Sequence, residues 1–222
     1  TITISDTGIG MNAEEIENLQ VPELTAGRGS QYLIANRLTG ENTKDKPVFA
    51  GVIGPFSLAG RLYDLSEIMV ACFREPEAIS GLLEKCTEFI LKYCLELKNI
   101  GCSGVVIAEP AAGLLSNEDC QFFSSAYVKK IVDAFQDDTF LVILHNCGNH
   151  GHCTEAMLNS GANAYHFGNA IDMVETLKYC PKDKLIMGNI DPVGIMKMSS
   201  AKEVKAFVAD LLKKTSEFDN FV

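Results

Sequence analysis

Two residues in this chain stand out for chemistry, His145 and Cys147, in the stretch His145-Asn146-Cys147-Gly148. They follow the apolar run Phe140-Leu141-Val142-Ile143-Leu144, which reads as a buried strand. Side chains at i and i+2 of an extended segment point to the same side, so both residues leave a sheet or barrel together at its mouth. An imidazole and a thiolate side by side form a donor pair that zinc accepts readily, and that chemistry implies a zinc enzyme. A pair does not complete a site, because catalytic zinc usually takes three protein ligands and structural zinc four. Taken alone, the two residues read more readily as a core histidine and a buried free cysteine, both common. His150, His152 and Cys153 follow closely. A wholly local site is therefore a further reading, although one loop rarely folds so many donors onto one ion.

Other candidates stand at the ends of predicted strands. Glu109, in Ala108-Glu109-Pro110-Ala111-Ala112-Gly113, falls where barrel enzymes keep their chemistry, and is equally a solvated loop glutamate. In Gly188-Asn189-Ile190-Asp191-Pro192, Asn189 and Asp191 can line the same mouth, while Asp before Pro also makes an ordinary turn or helix lead-in. His166 closes a strand in His166-Phe167-Gly168-Asn169. Gly54-Pro55-Phe56-Ser57-Leu58-Ala59-Gly60 reads as a tight loop, with Arg61 just after it.

The elements that must position these residues alternate along the chain. Predicted strands cover 48–53, 104–108, 140–145, 162–166, 184–189 and 219–222, apolar on both faces as parallel strands under helices should be. Pro76 opens a long helix, with Ile79, Leu82, Leu83, Cys86, Phe89, Ile90, Tyr93, Cys94 and Leu97 at helical spacing and Gly101 as its stop. Further helices are expected over 119–136, 154–160 and 171–180, and Ser200-Ala201-Lys202-Glu203 is a capping box opening another. Strand, helix, strand, helix with short loops means an α/β fold. About six strands fall short of a (β/α)8 barrel of typically ~250 residues, so the expectation is a TIM-type barrel incomplete at both ends, with a doubly wound sheet as the alternative. Residues 1–46, glycine-rich and polar, are expected to form an irregular extension packed on the barrel of 47–222. The chain starts at Thr1 and stops at Val222 within a predicted strand, which reads as a fragment.

Composition bounds the function. The chain has 222 residues, is 47% hydrophobic, and carries 19 Lys and Arg against 29 Asp and Glu, a net charge of −10. A sizeable core is expected, and an acidic chain without a basic cluster argues against nucleic acid and anionic membranes. No apolar run approaches the length of a transmembrane helix. The eight cysteines are irregularly spaced, several on helical apolar faces, which suits a reducing cytoplasm better than a disulfide framework. Residues 4–11, with Asp6, Gly8 and Gly10, resemble the adenine-binding segment of histidine-kinase and heat-shock-protein-90 ATPases. The helix that family needs upstream does not fit before Asp6, and the strand–helix alternation is wrong for that fold, so the likeness is read as coincidence.

Taken together and in order, Gly54-Pro55-Phe56-Ser57-Leu58-Ala59, His145-Asn146-Cys147 and Gly188-Asn189-Ile190-Asp191-Pro192 resemble the uroporphyrinogen decarboxylase superfamily. Within it, the His-x-Cys pair is similar to that of the zinc-dependent, cobamide-using methyltransferases. The resemblance implies that zinc is held by His145 and Cys147, with a third, cysteine ligand on a late strand a few residues beyond Val222. It implies transfer of a methyl group from a methylcobalamin-type corrinoid, carried on a separate corrinoid protein, to a small thiol such as coenzyme M. The thiolate takes the methyl group and leaves Co(I). Glu109 and Asp191 would orient substrate or support the metal, and Asn189, His166 and Arg61 would contact substrate. The runner-up is a metal-free decarboxylase acting on a tetrapyrrole. That class carries an arginine-rich N-terminal motif not found in this chain, whose only arginines are Arg28, Arg37, Arg61 and Arg74. A non-enzymatic module that only binds a corrinoid or a partner is the third reading.

Overall fold

In a computed structural model the described residues are 11–222, so the adenine-segment likeness at 4–11 lies, except for Met11, outside the described residues. The core of the fold is a parallel sheet of β1 (Phe49–Ile53), β2 (Gly104–Ala108), β3 (Leu141–Asn146), β4 (Ala164–Phe167) and β5 (Leu185–Met187), ordered as in the sequence. Each strand adds to the same side of the one before. A doubly wound sheet reverses its order at a switch point, and this one does not. The strands form an arc of a (β/α) barrel.

Alternation along the strands divides their side chains. Ala50, Val52, Val105, Ile107, Val142, Leu144, Tyr165, Phe167 and Ile186 pack with Ile90, Cys94, Leu97, Val128 and Ile131 of the covering helices in one buried cluster. The other face of the strands carries Gly51, Ile53, Val106, Ala108, His145 and His166. Both histidines therefore sit on the inner face of the arc, near its C-terminal rim.

The helices are α1 (Ala13–Asn18), α2 (Gly29–Asn42), α3 (Pro55–Tyr63), α4 (Leu65–Arg74), α5 (Pro76–Asn99), α6 (Asn117–Cys120), α7 (Ala126–Phe135), α8 (Thr154–Leu158), α9 (Met173–Leu177) and α10 (Ala201–Lys214). In α5 Pro76 stands in the first turn, Ile79, Leu82, Leu83, Cys86, Ile90, Cys94 and Leu97 are buried, and Gly101 follows the end at φ 90°. The capping box at Ser200 and Glu203 opens α10 as expected. No described helix is long and apolar enough to cross a membrane.

Several expectations are corrected. The 54–60 stretch is not a loop but the first turns of α3, with Pro55 at its start. Residues 11–46 are not irregular, because α1 and α2 form there. Asn12 and Glu15 build a capping box, Ile16 is buried, and Lys85 donates to the carbonyls of Ile16 (2.7 Å), Glu17 (2.5 Å) and Leu19 (2.7 Å). Carbonyls at the end of a helix lack their i+4 partners, and the lysine of α5 gives them a donor, in addition to the Leu19 N–H that the Ile16 carbonyl accepts at 3.2 Å. The helix expected over 119–136 is interrupted by a π turn, Gln121–Ser125, between α6 and α7. The strand expected over 184–189 keeps three residues, and the one expected over 219–222 is represented by a parallel bridge from Phe221 to Ile186.

Candidate functional site

Strand register brings His145 and His166 together. They are Cα partners on β3 and β4, with ring centroids 4.7 Å apart. His145 Nδ1 lies 2.6 Å from His166 Nδ1 and 3.3 Å from the His166 carbonyl oxygen. A carbonyl only accepts, so the proton shared at this point belongs to His145 Nδ1, and His166 Nδ1 accepts it. A neutral imidazole carries one N–H, which leaves His145 Nε2 as a bare nitrogen and puts the His166 proton on Nε2. Burial pushes both histidines below their ordinary value, and for His166 the charge of His145 adds to this. Both are neutral at pH 7 on that account.

Cys147 follows with an exposed thiol, while Asn146 between them turns the other way, is buried, and accepts from the Gly148 N–H at 3.0 Å. The turn is clamped by backbone on either side. A Cβ on Gly148 would lie 2.3 Å from the Pro110 carbonyl oxygen, one on Gly113 would lie 2.2 Å from the Gly148 carbonyl carbon, and one on Gly168 would lie 2.8 Å from Cys147 Cα. The loop after β2, the turn after β3 and the end of β4 are thus in backbone contact.

As donors for zinc, the bare Nε2 of His145 and the free thiol of Cys147 fit two positions of a shell. Among the described residues no group of three His, Cys, Asp or Glu side chains converges to hold an ion. The wholly local alternative is corrected on that ground. His152 Nε2 is 3.1 Å from the Leu115 carbonyl oxygen, and Cys153 is buried with its Sγ 3.1 Å from the same oxygen.

The remaining candidates are dispersed. Glu109, expected at the mouth to orient substrate or support the metal, is 1% exposed and sealed beneath α3. Its carboxylate accepts from Phe56 N–H (2.7 Å), Ser57 N–H (2.8 Å) and the Ser124 hydroxyl (3.1 Å). It caps the N-terminus of α3, where the helix dipole favours an anion. Burial pushes its carboxyl above the ordinary value, and hydrogen bonds from Ser57, Phe56 and Ser124 oppose that. Asp191 accepts from the N–H groups of Val193 and Gly194 and caps a π turn at Pro192–Lys197. The Asn189 amide donates to the carbonyls of Gly168 and Ile171 and ties the loop after β5 to the loop after β4. Both line a groove of roughly 750 Å³ bordered by α9 and α10. Arg61 lines another, of roughly 570 Å³, with Ser57, Asp64, Pro110 and Leu114. The three rim glycines and the contact of His166 with His145 were missed from sequence. The spacing His145-x-Cys147 opposite His166-x-Gly168, at the ends of successive strands, was the signal.

The uroporphyrinogen decarboxylase (URO-D) family profile matches residues 7–221. This chain belongs to the uroporphyrinogen decarboxylase family. Among curated proteins it is similar to the methylcobamide:CoM methyltransferase MtbA of Methanosarcina mazei, 28% identical over 198 residues, covering 88% of this chain and 58% of that protein. It is also similar to a uroporphyrinogen decarboxylase of Synechococcus sp. (strain CC9605), 28% identical over 191 residues, covering 82% of this chain and 53% of that protein. The chain thus spans a little over half the length of these relatives. Among solved structures it superposes on a methyltransferase from Methanosarcina mazei with a TM-score of 0.82 at 21% identity, covering 90% of this chain and 60% of that one, which establishes the shared fold. In this uroporphyrinogen decarboxylase family member His145 and His166 stand at the C-terminal ends of their strands, the end where barrel enzymes generally keep their chemistry.

Proposed function

We propose that this chain belongs to a zinc-dependent methyltransferase that moves a methyl group from a methyl-corrinoid, presented by a corrinoid protein, to a small thiol such as coenzyme M. The observation that carries this reading is the rim pair itself, the His145 imidazole near the end of β3 and, two residues on, the exposed thiol of Cys147. The similarity to MtbA supports the choice of reaction. His145 and Cys147 would hold the zinc, which when bound supplies a Lewis acid that favours the thiolate form of an acceptor. The protein's own part is to keep His145 neutral and oriented and to hold the Cys147 turn rigid between two neighbouring loops. Methyl passes from cobalt to sulfur, the carbon–cobalt electron pair stays on cobalt, and no protein nucleophile is needed.

The test uses the full-length protein. Zinc content is expected to be close to stoichiometric and to fall in His145→Ala and Cys147→Ala. Methyl transfer from methylcobalamin to a panel of thiols should fall with it by at least about a hundredfold, the order expected when a group acting in the transition state is lost. Full transfer activity in both variants would remove the reading. The Synechococcus relative supports a second one, a metal-free tetrapyrrole decarboxylase. Under it the Arg61 groove would bind a substrate carboxylate, and carbon dioxide release from a porphyrinogen by metal-stripped protein is the outcome that favours it.

A further inference from the structure

Two adjacent strands place segments of the same form side by side, His145-Asn146-Cys147 at the end of β3 and His166-Phe167-Gly168 at the end of β4. His145 is the register partner of His166, and two residues on the backbone of Cys147 abuts Gly168. Neighbouring strands are held about 4.8 Å apart, so this contact is set by the sheet and not by a mobile loop. The His166 ring meets His145 at Nδ1, the nitrogen facing away from the one left bare.

We propose that His166 is a positioning residue for His145: it accepts from the His145 Nδ1–H and thereby fixes the tautomer in which His145 Nε2 is the free donor atom. The proposal rests on the reading of His145 as a metal ligand. Its geometry follows a general rule, that a ligating histidine gives its other N–H to a nearby acceptor which sets ring angle and tautomer. The acceptor here is a second imidazole, reinforced by that residue's own carbonyl at 3.3 Å. His166 is itself no ligand through Nδ1, whose lone pair is occupied, and its substrate-contacting role expected from sequence gives way to one exerted through His145. Gly168 completes the template. The absence of a side chain lets β4 approach Cys147, so one strand end supports both rim residues.

The experiment reads the tautomer directly, by long-range proton–nitrogen correlation of histidine-labelled, metal-free full-length protein. The expected result is His145 protonated at Nδ1 and His166 protonated at Nε2. In His166→Phe the His145 signal should lose its fixed Nδ1–H form. In His166→Gln it should keep that form, because the carboxamide oxygen accepts in the same place. Zinc affinity, measured against a competing chelator, should fall about tenfold to a hundredfold in the Phe variant and recover in the Gln variant. A His145 protonated at Nε2 in the unmodified protein, or Phe and Gln variants alike in tautomer, overturns the proposal. Absence of zinc binding with the His145 Nδ1–H form intact overturns the metal reading alone, so the two failures are distinguishable.

Discussion

At the scale of single residues, the rim is held by what is left out as much as by what is present. Gly148 lets the Cys147 turn approach the Pro110 carbonyl, where a Cβ would stand 2.3 Å from the oxygen. Gly148→Ala is expected to destabilise the protein by about 1–3 kcal/mol, the usual range for overpacking against an unyielding neighbour. The urea midpoint should drop at an unchanged slope. Glu109 offers a test of opposing forces. Its folded-state carboxyl is raised by burial, against donation from Ser57, Phe56 and Ser124. A raised folded value means that this group's contribution is fully present below the unfolded value of about 4.3 and is lost as pH climbs through the folded one. The stability of the unmodified protein minus that of Glu109→Gln should therefore decline as pH rises above about 4.3. Denaturation midpoints of both proteins across pH 4 to 8 check this, and a difference that grows with pH would show the three donors outweighing burial.

At the scale of elements, helix ends decide the outcome. The short α1 is secured by an internal capping box and by Lys85 reaching its last carbonyls. Lys85→Met keeps the aliphatic stem and removes the donors. It should leave the core intact while amide exchange in α1 speeds up, because local opening depends on local contacts. Exchange rates unchanged over Ala13–Asn18 would show that Ile16 packing alone holds the helix. Ser200→Ala should cost about 1 kcal/mol by removing the hydroxyl that accepts from the Glu203 N–H, read as a shift in the thermal or urea midpoint. The contrast with α3 is instructive. Its cap is Glu109, which lies fifty-three positions from Phe56 and arrives from the next strand. No window of sequence around Gly54 contains that partner, and so the stretch reads locally as a turn.

At the scale of the whole molecule, the barrel arc brings strand ends together that are far apart in sequence. Two core clusters do most of the holding. One lies between the sheet and its covering helices, and the other gathers α3, α4 and the first half of α5 around Phe56, Ile68, Leu82 and Leu83. Phe56 is fully buried at the start of α3, and Phe56→Ala should cost about 3–5 kcal/mol. Because the same helix is capped by Glu109 at the end of β2, loosening it should also raise exchange at the β2 rim. Loss confined to α3 would separate the two.

Period and punctuation in the sequence were enough for the α/β class, the parallel strands and the long helix from Pro76, because strand alternation and helical spacing are local properties of the chain. The placement of His145 at a strand end follows from the same local pattern, while Cys147 falls in the turn just beyond β3. Three things were decided only by tertiary structure: that Glu109 is a sealed helix cap, that Asn189 ties the loop after β5 to the loop after β4, and that His166 faces His145. Each depends on which atoms from distant segments meet, and that is fixed by strand register and core packing, which no local pattern records.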